Sequence, residues 1–186
     1  MNPVRPRTFS LILLLLCASL PAAAAALGTS TRGAIPAEVQ QVIVVDYRAF
    51  NDSATARALK ERMMSPRLRQ FEAALRQAGI RPESEVEQLT FASFRSKEQG
   101  LQMVGIAEGS FAREAVVRRL RMKGIRPRKD RLGALYPMEG GMTMTFLDDS
   151  SLLFGEPGAV KLALQARQGE IQSLNANPQI DRKSVV

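Results

Sequence analysis

The sequence predicts an α+β domain, and three observations carry that prediction. Two strand-forming runs, Leu89–Phe94 and Leu101–Ala107, flank a polar turn at Ser96–Gly100, which is the pattern of a β-hairpin. A cluster of β-branched residues, Val42, Ile43, Val44 and Val45, precedes the pair. Segments with apolar residues at three- and four-residue spacing lie on both sides of the hairpin and read as amphipathic helices. With 186 residues, 45% of them hydrophobic, the chain is long and apolar enough for one such domain.

Taken in order, residues 1–26 read as an export leader. Arg5 and Arg7 precede the apolar run Leu11–Leu20, and Pro21 with Ala22–Ala26 supplies the small residues at which cleavage is expected. That run is too short for a comfortable membrane span, so no transmembrane helix is expected after cleavage. Residues 27–34 are rich in Gly, Ser and Thr and read as a linker into a domain over 35–172. Gln41–Tyr47 reads as a buried strand. Asn51, Asp52 and Ser53 offer an N-cap to a helix over Ala54–Met64. Pro66 restarts the helix, since a first-turn proline needs no N–H partner. Leu68, Phe71, Ala74, Leu75 and Ala78 then form one buried stripe, which Gly79 closes as a left-handed C-cap.

Pro82–Val86 is an acidic turn into the hairpin, whose two largely apolar faces predict central strands. Ser110 is expected to cap a helix over Phe111–Lys123, with Ala112, Ala115, Val116 and Leu120 inward and Gly124 as its stop. Leu132–Met138 reads as a strand, Glu139–Gly141 as a turn, Met142–Leu147 as an alternating strand, Asp148–Ser150 as a turn and Leu152–Phe154 as a short strand. Pro157 opens a last helix that buries Val160, Ala163 and Leu164 and ends at Gly169. Ser173–Pro178 reads as loop. The motif Gly79-Ile80-Arg81-Pro82 recurs as Gly124-Ile125-Arg126-Pro127, each time between a helix and a strand. The resulting order β-α-β-β-α-β is that of a ferredoxin-like split βαβ unit, here with an appended β-hairpin and C-terminal helix. Right-handed crossovers would put both main helices on one sheet face and leave the other, also apolar, to a second module or a partner.

The last six residues, 181–186, can be encoded by the DNA of a widely used sequencing-library adapter. They are read as an artefactual tail, and 173–180 as a linker toward a second module that the natural chain would carry. The strand ending at Asp46, the Pro66 helix, Gly79-Ile80-Arg81-Pro82, Glu108–Phe111 and Phe146–Gly155 together resemble a group of uncharacterised exported bacterial proteins with two such α/β modules in tandem. The resemblance covers most of residues 35–178. It implies a fold, an exported periplasmic or secreted location and a place as the first of two modules. It implies no activity.

The residue inventory limits the chemistry. The chain has no histidine and no tryptophan, and its one cysteine, Cys17, lies in the leader. Histidine or cysteine zinc sites, thiol nucleophiles, the Ser-His-Asp triad and histidine-ligated haem are excluded, and no cofactor or metal is expected. Asp148 and Asp149 are adjacent, so they read as turn residues rather than an acid/base pair. Asp46 ends an apolar strand and reads as a cap on the sheet edge or as the partner of Arg48, with a catalytic or ligand-binding carboxylate as the alternative. The glycines match no phosphate-binding fingerprint.

The strongest feature is a basic run. Residues 113–131 hold nine Lys/Arg against Glu114 and Asp130, a net of +7 in a chain of net +8. Arg118, Arg119, Arg121, Lys123, Arg126, Arg128 and Lys129 are the candidate anion contacts. Few aromatics lie near them and the leader directs export, so no nucleic acid is expected; an anionic envelope surface or an envelope protein is. The leading expectation is a non-enzymatic exported binding or assembly module. Two alternatives stand beside it: a carboxylate-based hydrolase completed by a second module, and an anion-binding envelope protein that uses the basic run.

Overall fold

The hairpin forms where the sequence places it, as β2 (Val86–Ser96) and β3 (Gly100–Gly109), with constant register from Gln88↔Glu108 to Ser96↔Gly100. Gly100 takes φ +71° at its turn. These strands belong to a computed structural model that describes residues 27–51, 54–55, 58, 66–96 and 100–176. Five more strands join them: β1 (Val39–Asp46), β4 (Arg128–Asp130), β5 (Gly133–Pro137), β6 (Thr143–Phe146) and β7 (Ser151–Gly155). The sheet order is β1-β2-β3-β7-β6-β5-β4, and every neighbouring pair is antiparallel. The helices are α1 (Thr29–Ala34), α2 (Tyr47–Asn51), α3 (Pro66–Gln77), α4 (Pro82–Glu85), α5 (Arg113–Met122) and α6 (Pro157–Arg167). The fold is therefore α+β. Most of the helix expected over Ala54–Met64 lies outside the described residues.

The strand order is not that of a split βαβ unit. In that arrangement strands joined through a helix run parallel, with another strand between them. Here β1 and β2, joined through α2 and α3, are antiparallel neighbours, and three strands separate β3 from β4, which α5 connects. The β-branched run pairs along the free edge of the hairpin instead of entering the middle of the sheet. For the same reason β1 is not the buried strand expected: among the described residues it has one neighbour, each of its residues is half-buried or exposed, and Ile43 is 45% exposed.

Register assigns the side chains to two faces. Leu89, Phe91, Ala107, Leu152, Phe154, Met144 and Tyr136 point to one face, where they pack with Phe71 and Leu75 of α3 and Val116 and Leu120 of α5. Ala92, Phe94, Val104, Ile106 and Leu153 point to the other, under Ala159, Val160, Ala163 and Leu164 of α6, with Ala34, Ile35 and Leu174 alongside. The second face is thus covered by this chain itself, where a second module or partner was expected. The segment 27–34, expected as a linker, contributes α1: Thr31 and Ala34 are buried, and Thr31 Oγ1 donates to Glu108 Oε1 at 2.7 Å. Tertiary burial here overrides the weak helix propensity of Gly, Ser and Thr.

Two further differences are local. Ser110 does not cap α5; its N–H donates to the Glu85 carbonyl at 3.0 Å, and the helix starts at Arg113 because Phe111 turns into the core first. Ala112, expected on the inner stripe, is exposed at the N-cap, while Val116 and Leu120 are buried as expected. Residues 128–130, which lie between the expected helix over Phe111–Lys123 and the expected strand over Leu132–Met138, form β4.

The glycine stops form alike. Gly79, Gly124 and Gly169 each have φ +76°. After α3, the Ile80 N–H donates to the Leu75 carbonyl and the Gly79 N–H to the Arg76 carbonyl, both at 2.9 Å. Ile125 to Leu120 and Gly124 to Arg121 repeat this Schellman pattern after α5, and Glu170 to Gln165 with Gly169 to Ala166 repeats it after α6. A Cβ on Gly79 would also stand 2.6 Å from Arg119 Cδ. Gly79→Val is expected to cost about 1–2 kcal/mol through the left-handed backbone penalty, seen as a lowered urea midpoint at unchanged slope. An unchanged midpoint contradicts it.

Candidate functional site

The basic run is placed by α5 and the turn that follows it. Val116 and Leu120 hold one side of α5 in the core, which turns Arg118, Arg121 and Met122 to solvent; Met122 is 73% exposed. The Schellman turn at Gly124 then reverses the chain through Arg126 and Pro127 into β4. A tight hairpin follows, in which Gly133 takes φ +137° and Asp130 Oδ1 accepts the Leu132 N–H at 3.1 Å. β4 is the outermost strand on its side of the sheet, and Arg128, Lys129 and Asp130 are all exposed.

The seven candidate contacts divide. Arg119 Nη1 donates to the Gly79 carbonyl, and Lys123 Nζ donates to the Gln77 carbonyl at 2.9 Å. Both cations serve the C-terminal end of α3, where carbonyls lack helical partners and the helix dipole favours positive charge. They hold α5 against α3 and leave the anion-contact set. Arg118, Arg121, Arg126, Arg128 and Lys129 remain exposed, and none of them forms an ion pair among the described residues. Their flanks are neutralised. Arg113 lies 3.6 Å from Asp149 and 5.2 Å above the Phe146 ring. Arg131 grips both carboxylate oxygens of Glu170, and this bond raises the guanidinium pKa and lowers that of the carboxyl. Five exposed cations that form no ion pair among the described residues thus lie within twelve residues of chain, on α5, on the turn after it and on β4, a concentration of charge able to attract a polyanion.

The carboxylates make local structure. Asp148 Oδ1 accepts the Ser150 N–H at 2.9 Å, and its Oδ2 accepts the Ser30 hydroxyl at 2.6 Å. Partial burial pushes its carboxyl up, but the bonds from Ser30, Ser150 and Ser151 together outweigh burial and hold it below the ordinary range. Asp149 points into solvent toward Arg113, so the two aspartates form no acid/base pair. Asp46 Oδ1 accepts the Ala49 N–H at 2.9 Å and caps α2; Arg48 pairs instead with Glu87 at 2.6 Å. No cluster of three or more His, Cys, Asp or Glu able to hold a metal occurs among the described residues.

Sequence reasoning missed a buried polar chain. The Tyr47 hydroxyl donates to Glu72, whose other oxygen accepts from Arg76 Nη1 at 3.3 Å, and Arg76 also pairs with Glu83. Tyr47 is fully buried and Glu72 only 3% exposed. Burial first, then the Glu72 bond, raises the Tyr47 pKa far above the ordinary tyrosine value. The signal was present: Leu68, Glu72 and Leu75 are spaced four and three apart, so Glu72 lies on the buried stripe. A cleft of about 340 Å³ opens between Pro66, Gln70 and Phe71 of α3 and Met103, Met142 and Glu156. Among its described lining residues Glu156 is the only titratable one.

Among the described residues no helix is long and apolar enough to cross a membrane. No protein-family model, no curated protein and no solved structure matches this chain.

Proposed function

We propose that the chain is an exported, non-enzymatic binding module that docks on an anionic surface of the cell envelope through Arg118, Arg121, Arg126, Arg128 and Lys129. One observation carries the reading: within residues 118–129 these five cations are exposed and form no ion pair among the described residues, while the other four of the run are tied to carbonyls or carboxylates. The leader pattern of Arg5, Arg7, Leu11–Leu20 and Ala22–Ala26, and the resemblance to exported bacterial proteins, support the compartment.

Each exposed cation near an anionic lipid surface contributes roughly 1 kcal/mol. Five carried on α5, the turn after it and β4 therefore bind where one would not. The cluster raises the local concentration of anions without any shaped pocket, so the surface selects for charge density. Such contacts weaken as salt shortens the screening length from about 10 Å at 0.1 M to about 3 Å at 1 M.

The test is retention on vesicles containing anionic lipid and on an acidic polysaccharide, across a salt series. Wild type is expected to bind at low salt and elute as salt rises. The variant Arg121→Glu, Arg126→Glu, Arg128→Glu is expected to pass through unretained while keeping its thermal midpoint within a few degrees. Equal and salt-independent retention of both proteins overturns the proposal.

A further inference from the structure

The two edges of the sheet are protected very differently. β4 is three residues long and all of it is charged: Arg128, Lys129 and Asp130. Short charged edges resist pairing with other strands. β1, at the opposite edge, is eight residues long and carries Val42, Ile43, Val44 and Val45 in succession. Among the described residues nothing pairs with its outer side, and Ile43 is 45% exposed although its cross-strand partner Phe91 is buried. The only charge on β1 is Asp46, which is turned to the α2 cap.

We propose that β1 pairs antiparallel with β1 of a second copy, about a two-fold axis normal to the sheet at Ile43, so that one sheet runs through both copies. Residues opposite each other in an antiparallel pair share a face, and the two-fold must preserve that. Centring the axis on Ile43 does so. Ile43 meets Ile43, Val42 meets Val44, Val45 meets Gln41 and Asp46 meets Gln40. The apolar positions 42–44 face one another, and the one charge meets a neutral amide, so no like charges oppose.

The charge distribution favours a second copy over an anionic strand. The basic residues of β4 lie at the far edge, six strand spacings or about 29 Å from β1 and well beyond a screening length of about 8 Å, and β1 itself carries no basic residue. The chain's net charge of +8 therefore does not resist pairing at β1. The dimer would also carry its two basic edges at opposite ends, with both exposed. This inference is independent of what the basic edge binds.

Cysteine cross-linking reads the register directly, because Cys17 is the chain's only native cysteine. In a Cys17→Ser background, Ile43→Cys is compared with Leu101→Cys and Met122→Cys, the other two exposed large apolar positions among the described residues. In a mild thiol–disulfide buffer, Ile43→Cys is expected to form a linked dimer at least tenfold faster than either control, since directly opposite residues bring their Cβ atoms within reach of a disulfide. Sedimentation of the unmodified chain is expected to show a dimer, and Val44→Lys a monomer with unchanged circular dichroism. An unmodified chain that is monomeric at about 100 μM overturns the proposal, as does Ile43→Cys linking no faster than Met122→Cys.

Discussion

Replacing Phe71 by alanine is expected to destabilise the domain by about 3–5 kcal/mol, the usual cost of deleting a buried aromatic ring. Phe71 is the residue by which α3 grips the middle of the sheet. Its ring meets Phe91 of β2 edge-on at 5.1 Å and Phe154 of β7 at 6.4 Å. It lies over Gly105 of β3, where a Cβ would stand 2.6 Å from Phe71 Cε1. Gly105 is therefore a space left for the ring. Gly105→Ala is expected to cost about 1–3 kcal/mol in the wild-type chain by overpacking, and close to nothing in the Phe71→Ala chain, where the space is vacant. A double-mutant cycle in urea measures both. Additive effects would show that α3 does not seat on β3 as described.

The second large effect concerns Tyr47 and Glu72. Tyr47→Phe keeps the ring and removes the hydroxyl that donates to a buried carboxylate; hydrogen bonds to charged groups contribute about 1.5–3 kcal/mol, and a loss of that size is expected. The same pair predicts behaviour in alkali. The Tyr47 pKa is raised in the folded chain, so its contribution to stability is fully present below about pH 10, where an unfolded tyrosine ionises, and is lost as pH climbs above that value. The chain has two tyrosines and no tryptophan, so a Tyr136→Phe variant reports Tyr47 alone. Tyrosinate absorbance is expected to stay flat through pH 10 and to rise only together with loss of the circular dichroism signal. Ionisation near pH 10 with the fold intact contradicts the buried pair.

What could be read from the sequence was what neighbours in sequence decide. Gly79, Gly124 and Gly169 stop helices because no other residue takes φ +76° at so little cost, and the hairpin turn at Gly100 is equally local. The stripe of Phe71, Leu75 and Ala78 and that of Val160, Ala163 and Leu164 are properties of single helices. Strand order is different. Nothing inside Val42–Val45 says whether one neighbour or two will flank it, and so a strand read as buried became an edge. The seven basic residues read as one group for a related reason. Sequence shows where cations are but not that Arg119 and Lys123 reach carbonyls some forty residues earlier in the chain, at the end of α3. Asp46 and Arg48 look like partners two residues apart, yet the helix start takes one and Glu87, on the neighbouring strand, takes the other. Glu72 shares the stripe of Leu68 and Leu75 by its spacing, but a charged residue on a buried stripe runs against the usual pattern.

The functional claim is that binding belongs to one cluster and not to the basic character of the chain at large. Charge-matched reversal tests that most directly. The variant Arg121→Glu, Arg126→Glu, Arg128→Glu is set beside Arg95→Glu, Lys161→Glu, Arg167→Glu, which changes three exposed cations elsewhere by the same total charge. The affinity of each for anionic vesicles is measured at one ionic strength. The cluster variant is expected to lose binding by at least tenfold while the control stays within about twofold of wild type. Equal losses in the two variants would mean that net charge alone is sensed, and would contradict the assignment of the site to α5 and β4.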